Sequence, residues 1–336
     1  MNTQIRIARL PQGTPREDDF ECVTTAPPSV ADGQILVRTR WLSLDPYVRA
    51  LLSGRHFLGM PKVGDVLPAK AVAEVVESRR AGFAPGDRLV LETGLTEYAV
   101  STGDDAWRVD ARHEPDSTAL GILGVPGMTS YFGLREIARI QAGETVLVSS
   151  ASGPVGCMVG QLARHWGARA IGIAGGPAKC AWTVEQAGFA ACIDYRSEDV
   201  GARLRELAPR GVDVFFDNTF GELQRCVIEG RHLAMHGRVV LCGAVTQYNL
   251  ADAPPGPNLG PLMACRGRVE PIIVYDYEPR RQEFFDEVLP LFAAGRLAYR
   301  EDIADGLAAA PAAFARLMRG ENFGKSLVRV APLRSR

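Results

Sequence analysis

The first chemistry legible in this chain lies between Glu144 and Lys179. Thr145-Val146-Leu147-Val148 is a short apolar strand, and Ala151-Ser152-Gly153-Pro154-Val155-Gly156 is a glycine-containing turn. Val155, Met158, Val159, Leu162 and Trp166 then recur at helical spacing. Ala-Ile-Gly-Ile-Ala (170–174) supplies a second strand that ends at Gly175-Gly176. In such a βαβ unit the free N–H groups at the helix start hold a pyrophosphate. An acid at the end of the second strand would bind a ribose 2′-hydroxyl, but no Asp or Glu lies between Glu144 and Glu185. Arg164, Arg169 and Lys179 occupy that interval instead. A carboxylate would repel a 2′-phosphate and a lysine attracts one. The stretch therefore predicts a dinucleotide site that prefers NADP(H) to NAD(H).

Other reactive residue types are less specific. The seven cysteines, Cys22, Cys157, Cys180, Cys192, Cys226, Cys242 and Cys265, are odd in number, and the closest pair stands twelve apart. There is no CxxC and no disulfide framework, so each reads as a small apolar residue. His232 and His236 are four apart, but Leu233 stands where the metalloprotease pattern H-E-x-x-H requires glutamate. No other cluster has metal-ligand spacing, and no metal is expected.

The elements that must position these groups change character along the chain. The first ~125 residues are rich in Val, Gly and Pro, with short alternating runs such as 35–39, 71–76, 86–90 and 97–100. They predict a compact β-barrel-like domain. From Gly124-Val125-Pro126-Gly127 onward, strands and helices alternate. Strands are expected at 145–149, 169–174, 190–194, 213–217, 238–242 and 269–274, and helices at 129–139, 154–167, 178–188, 198–208, 221–235 and 280–294. This is the α/β pattern of a doubly wound parallel sheet, whose ligands bind beyond the carboxyl ends of the strands. Lys179, Tyr195, Asn218 and the run from Gly243 to Tyr248 place polar groups at those ends. Residues 251–261, with four prolines, read as a loop, 308–319 as an amphipathic helix, and 324–330 as an edge strand of the β-rich part.

At 336 residues the chain is long enough for about two domains, and 46% hydrophobic with 23% charged residues is ordinary for a globular protein. A formal charge of −1 gives no reason to expect a nucleic-acid or anionic-membrane partner. The opening Met-Asn-Thr-Gln-Ile-Arg-Ile lacks a secretory core. Residues 145–163 are uncharged, but their Ser, Gly, Pro and Gln residues argue against a membrane span. A cytoplasmic location is expected.

Seven motifs, in order and spacing, resemble the zinc-independent branch of the medium-chain dehydrogenase/reductase superfamily, specifically leukotriene B4 dehydrogenases, prostaglandin reductases and alkenal double-bond reductases. They are Leu-Ser-Leu-Asp-Pro-Tyr-Val-Arg (42–49), Gly-Val-Pro-Gly-Met-Thr-Ser-Tyr-Phe-Gly-Leu (124–134), Ala-Ser-Gly-Pro-Val-Gly (151–156) and Gly-Gly-Pro-Ala-Lys-Cys (175–180). Phe-Asp-Asn (216–218), Cys-Gly-Ala-Val-Thr-Gln-Tyr-Asn (242–249) and Gly-Glu-Asn-Phe-Gly-Lys (320–325) complete the set. The resemblance implies a GroES-like β-rich domain of residues 1–125 and 300–336 and a Rossmann-type NADP-binding domain of residues 126–299. It implies that Ser152, Gly153, Pro154 and Val155 contact the pyrophosphate, and that Lys179 and Tyr195 flank the 2′-phosphate. Asn218, Cys242, Gly243, Ala244, Tyr248, Ile272, Ile273, Val274 and Asn322 would line the rest of the cofactor. It further implies a homodimer.

The zinc-dependent branch carries Cys and Gly-His-Glu ligands where this chain reads Val66-Leu67-Pro68-Ala69-Lys70-Ala71. Without such a ligand set, alcohol interconversion is less expected than hydride addition to the β-carbon of an α,β-unsaturated aldehyde or ketone. The enolate oxygen then needs donors, and the resemblance offers Tyr248 and Tyr47 as the catalytic pair. A tyrosine hydroxyl, ordinarily titrating near ~10, is a donor at neutral pH. Bland alternatives stand beside each role. Tyr47 would simply pack, Tyr248 would only bind cofactor, Tyr195 would end a strand in water, and Asn218 would cap the next helix. Arg49 is expected to lie solvated on the surface rather than to steer an acidic substrate tail. Residues 51–57 would border a hydrophobic substrate cleft. A quinone reductase of the same superfamily and a non-catalytic NADPH-binding protein are the competing functions.

Overall fold

A computed structural model describes residues 1–330; the last six residues of the expected 300–336 segment lie outside the described residues. The chain forms two compact units. One comprises residues 1–121, 248–251 and the segment from 301 onward, and the other 122–247 and 252–300.

The first unit is β-rich. Its strands are β1 (Asn2–Ile7), β2 (Phe20–Thr25), β3 (Ile35–Ser43), β4 (Lys70–Ser78), β5 (Arg88–Glu92), β6 (Tyr98–Ser101) and β7 (Trp107–Arg108), with a short helix α1 (Tyr47–Leu51) after β3. Strands β1 and β2 pair with each other. The buried positions of β1 and β3 include Ile5, Ile7, Ile35, Val37 and Leu42, which converge on one core with Leu67 and Leu89. Each such side chain contributes about 1.5–3 kcal/mol by leaving water.

The second unit alternates. It contains α2 (Val125–Phe132), β8 (Thr145–Ser149), α3 (Pro154–His165), β9 (Arg169–Ala174), α4 (Pro177–Glu185) and β10 (Ala191–Asp194). Then follow α5 (Val200–Leu207), β11 (Val212–Asp217), α6 (Gly221–Glu229), β12 (Leu233–Leu241), α7 (Gly260–Cys265), β13 (Arg268–Pro271) and α8 (Arg281–Ala293). Its six strands pair in parallel in the order β10-β9-β8-β11-β12-β13. That order is doubly wound, and direction reverses between β8 and β11, the switch point where ligands of such sheets sit.

The chain ends in β14 (Glu301–Asp305), α9 (Ala310–Met318) and β15 (Lys325–Arg329). These complete the seven-stranded sheet of the first unit, in which β14, β15, β3, β4, β5 and β7 run in order and β6 pairs with β3. The architecture is the expected α/β one, a Rossmann-type sheet with a GroES-like β-rich unit.

Several local expectations need correction. The run 324–330 is not an edge strand, because β15 is flanked by β14 on one side and β3 on the other. The edge is β14, whose Glu301, Asp302 and Asp305 hid it from a search for apolar alternation, as charged edges do. The helix expected over 221–235 stops at Glu229, where Gly230 and the left-handed Arg231 (φ 57°) end it, and 233–235 already belong to β12. The expected loop at 251–261 runs into α7 at Gly260. The strand expected over 269–274 ends at Pro271, and Val274 begins a 3-10 turn.

Candidate active site

The glycine turn is built by close approach. Gly153 N–H donates to Ser150 O (3.0 Å), and Ser150 itself takes φ 53°. A Cβ on Gly156 would lie 2.3 Å from Ser150 O, and one on Gly160 1.9 Å from the Phe189 ring, so only glycine lets α3 start here and lie against its neighbours. No side chain caps α3, Pro154 stands in its first turn, and that turn carries no acid. Helix α4 repeats the arrangement with Gly176 at its N-cap and Pro177 behind it. Neither helix is capped by the side chain of its own N-cap residue, and neither first turn contains an acid, which suits the phosphates of a dinucleotide.

An acid does reach the end of β9, from the neighbouring strand. Asp194 Oδ1 accepts from Gly176 N–H (2.8 Å) and Arg196 N–H (3.0 Å), and its Oδ2 accepts from Ser197 Oγ (3.0 Å). The Gly176 N–H, more than any other partner, holds this carboxyl below its usual range. Its oxygens are thus engaged by the protein and shape the turn. Tyr195, 48% exposed, lies over that turn: a Cβ on Gly175 would sit 2.9 Å from the tyrosine ring and hydroxyl and 3.0 Å from Arg196 Nε. Arg196 therefore joins Lys179 as a cation on this corner. The sequence reading missed it by searching only the interval up to Lys179; the signal was a Tyr-Arg pair closing the third apolar run.

A buried carboxylate ties the switch-point strands together. Asp217, fully buried at the end of β11, accepts from Ser149 Oγ (3.1 Å), Thr219 N–H (2.9 Å), Phe220 N–H (3.0 Å) and Gln224 Nε2 (3.1 Å). Burial pushes its pKa up, and these donors oppose the push. Its backbone carbonyl accepts from Cys242 N–H (2.9 Å) and Gly243 N–H (3.2 Å), joining the ends of β11 and β12. Asn218 does not cap α6. Its N–H donates to Ser149 Oγ (2.8 Å) and its Nδ2 to Ser149 O (2.7 Å). Phe220 precedes α6 at φ 60°, ψ −156°, a conformation costly for any residue with a Cβ and typical of constrained functional loops. Burial pushes the Cys242 thiol up to about 12, so it stays protonated. Ile272 and Val274 are buried and Ile273 is exposed, with Ile272 N–H held by Leu241 O (3.0 Å).

The parallel sheet thus gathers Ser152, Gly153, Pro154, Val155, Lys179, Tyr195, Asn218, Cys242, Gly243, Ala244 and Ile272 to Val274 at its carboxyl edge. Tyr47, Tyr248 and Asn322 belong to the other unit. There Tyr47 and Tyr248 both pack, half-buried, against the same hydrophobic core. Tyr47 opens α1, with the His56 ring 5.4 Å away; burial pushes His56 down and favours its neutral form. The Tyr248 segment is anchored by Asn249 Nδ2 on Met318 O (2.9 Å) and by Arg55, which donates to the carbonyls of Leu250 and Ala251. Asn322 Nδ2 donates to Gly324 O (3.0 Å) in the turn before β15.

Arg49 is not the solvated arginine expected. It is 3% exposed, and it donates from Nε to Gly13 O (3.0 Å) and from Nη2 to Pro11 O (3.2 Å). Burial first, then Arg55, pushes its pKa down. Its work is to pin the N-terminal loop onto α1.

Residues 3–109 match the family model described as the N-terminal domain of oxidoreductase, and residues 154–294 match the one described as zinc-binding dehydrogenase. The chain is 36% identical over 332 residues to the NADPH-dependent curcumin reductase of Escherichia coli (strain K12), covering 97% of this chain and 96% of that one. The chain belongs to the zinc-independent medium-chain dehydrogenase/reductase family. Prostaglandin reductase 1 of Bos taurus is another relative, 35% identical over 323 residues, covering 94% of this chain and 95% of that one. Among solved structures, CurA from Vibrio vulnificus in complex with NADPH superposes with a TM-score of 0.93 at 34% identity, over 98% of this chain and 100% of that one. Within this family member, no three His, Cys, Asp or Glu side chains among the described residues group as a metal-ligand set. No described helix is long and apolar enough to cross a membrane.

Proposed function

We propose that this protein is an NADPH-dependent reductase of the carbon–carbon double bond of small hydrophobic α,β-unsaturated aldehydes and ketones. The observation that carries the cofactor half is the pair of helix starts at Gly153 and Gly176, whose own first turns contain no acid, with Lys179 in the second helix and Arg196 beside its start. These residues fit NADP(H): α3 would hold the pyrophosphate, and the cations would hold the 2′-phosphate. The names of the curcumin and prostaglandin reductases support the reductase half.

When bound, the dihydronicotinamide supplies a hydride to the substrate's β-carbon. The chain's own contribution is orientation and charge stabilisation. Tyr248 and Tyr47 donate to the carbonyl oxygen as it becomes an enolate, a role worth on the order of a hundredfold in rate for one donor. The α-carbon then takes its proton from Tyr248 or from water. Asp217, by fixing Ser149, Asn218 and the start of the Cys242 segment, holds the backbone on which the cofactor rests. The reading includes a homodimer as the assembly.

The test measures NADPH and NADH oxidation side by side across enals, enones and small quinones, with product analysis. A saturated carbonyl product formed with NADPH supports the proposal. Turnover of quinones alone, or NADPH binding without oxidation across the panel, refutes it.

A further inference from the structure

The two tyrosines assigned to the substrate carbonyl lie far apart in sequence but within the same β-rich unit. Tyr47 opens α1, a helix of five residues. Tyr248 lies in the stretch 242–259, all of it described, which forms neither helix nor strand. Side chains must therefore hold that stretch in place, and one of them reaches it from the turn that follows α1.

Gly54, at φ 68°, turns the chain back after α1, and a Cβ there would meet Met60 Sδ at 3.2 Å. The turn brings Arg55 N–H to Ala50 O (3.0 Å), so the backbone of Arg55 is fastened to the helix that Tyr47 opens. The next residue, His56, sets its ring 5.4 Å from the Tyr47 ring. In the other direction, Arg55 donates from Nη1 to Leu250 O (2.8 Å) and from Nη2 to Ala251 O. These carbonyls stand two and three residues beyond Tyr248. One planar guanidinium thus grips two successive carbonyls, a fork that a lysine ammonium does not reproduce. Asn249 Nδ2, on Met318 O (2.9 Å), adds a second hold on the same segment.

We infer that Arg55 is a positioning residue: by gripping the carbonyls after Tyr248 from the turn after α1, it sets the spacing of the Tyr47 and Tyr248 hydroxyls around one substrate oxygen. This role rests on the enone-reductase reading of the two tyrosines. Two donors stabilise one enolate oxygen only when both lie within hydrogen-bond reach of it, and a misplacement of about 1 Å costs on the order of a hundredfold. Arg55, Leu250 and Ala251 are exposed, so water competes for the fork. Its loss should therefore cost about five- to tenfold in turnover rather than the full amount.

The experiment measures steady-state reduction of trans-2-hexenal by the full-length protein with NADPH, beside a fluorescence titration of NADPH. Arg55→Ala should lower kcat by about five- to tenfold and leave the NADPH Kd within about threefold. In a Tyr248→Phe background, which has no hydroxyl to position, the same substitution should lower kcat by less than about twofold. Arg55→Lys keeps the charge but not the fork, and should still lose turnover. Unchanged kcat in Arg55→Ala, an equal loss in both backgrounds, or full turnover in Arg55→Lys overturns the inference. If Tyr248→Phe alone keeps full turnover, the donor reading of Tyr248 has failed and the positioning role with it. A slow Tyr248→Phe beside a fully active Arg55→Ala sinks the role of Arg55 alone.

Discussion

Lys325 Nζ donates to Asp45 Oδ1 at 2.5 Å, and to Leu44 O at 3.1 Å, joining the start of β15 to the residues just before α1. The lysine side chain is 4% exposed and the aspartate 22%, so the ion pair is largely withdrawn from water. Ser43 donates to the other Asp45 oxygen. Asp45 and Pro46 lead directly into Tyr47, so the pair sets where that tyrosine begins its helix. Asp45→Ala should therefore cost about 3–5 kcal/mol in urea unfolding, because it strands a buried cation. Lys325→Met should cost less, since it removes the buried charge and leaves an aspartate that water can reach. Equal losses would show that the pair's asymmetry of burial does not matter.

Gly156→Ala should weaken NADPH binding by roughly tenfold or more, because overpacking against the Ser150 carbonyl must open the turn. Gly153→Ala should be milder, its Cβ meeting Ser150 at 3.2 Å. Fluorescence titration of NADPH ranks the two, and the reverse order would place the pyrophosphate elsewhere.

Lys179→Ala should raise the NADPH Kd by roughly ten- to a hundredfold, the worth of one charge-assisted contact, while changing the NADH Kd little. Arg196→Ala should act in the same direction. An equal loss for both cofactors would remove the 2′-phosphate from this corner.

Tyr248→Phe should lower kcat by on the order of a hundredfold while leaving the NADPH Kd within about threefold, if its hydroxyl supports the enolate. Steady-state kinetics on an enone beside a cofactor titration separates the two roles. Undiminished turnover would leave Tyr248 a cofactor contact alone.

Acid should selectively weaken the Glu287 cluster. Tyr131 Oη (3.0 Å), Trp166 Nε1 (2.6 Å) and Arg135 Nη2 (2.9 Å) all donate to this carboxylate, from α2, from the residue that ends α3 and from the turn after α2. Burial pushes Glu287 up, but the hydrogen bonds from Trp166, Arg135 and Tyr131 outweigh it and hold the group below its usual range. Burial and Glu287 in turn push Tyr131 up to about 12. A depressed folded pKa means the stabilisation is complete above the unfolded value near ~4.3 and lost as pH falls through the folded one. Glu287→Gln should cost about 1–2 kcal/mol at pH 7, and thermal unfolding should show the deficit shrinking below about pH 4.

The αβ alternation was readable because both faces of the parallel sheet are covered, which makes β8, β9 and β11 nearly continuous apolar runs. The turn at Gly153 was readable because glycine and proline punctuate the chain so strongly. What stayed hidden depends on contacts between distant segments. Arg49 looks solvated until the Pro11–Gly13 carbonyls are seen to bury it, and Asp194 looks unremarkable until Gly176 is beside it. Strand β14 was missed because an edge is defined by its one neighbour, and its acidic sequence carries no alternation.

The chain enters and leaves the β-rich unit more than once, at 121, through 248–251, and again from 301. During synthesis, β3 therefore leaves the ribosome without β15, the strand that will cover its last residues, Trp41 to Ser43, and that end waits for nearly all of the remaining chain. The nucleotide-binding unit is complete by residue 300 and can fold first. A premature stop shortly before β15 would thus yield a chain with a finished parallel sheet and the end of β3 at Trp41–Ser43 open to other copies, a candidate for aggregation rather than a clean single-domain fragment.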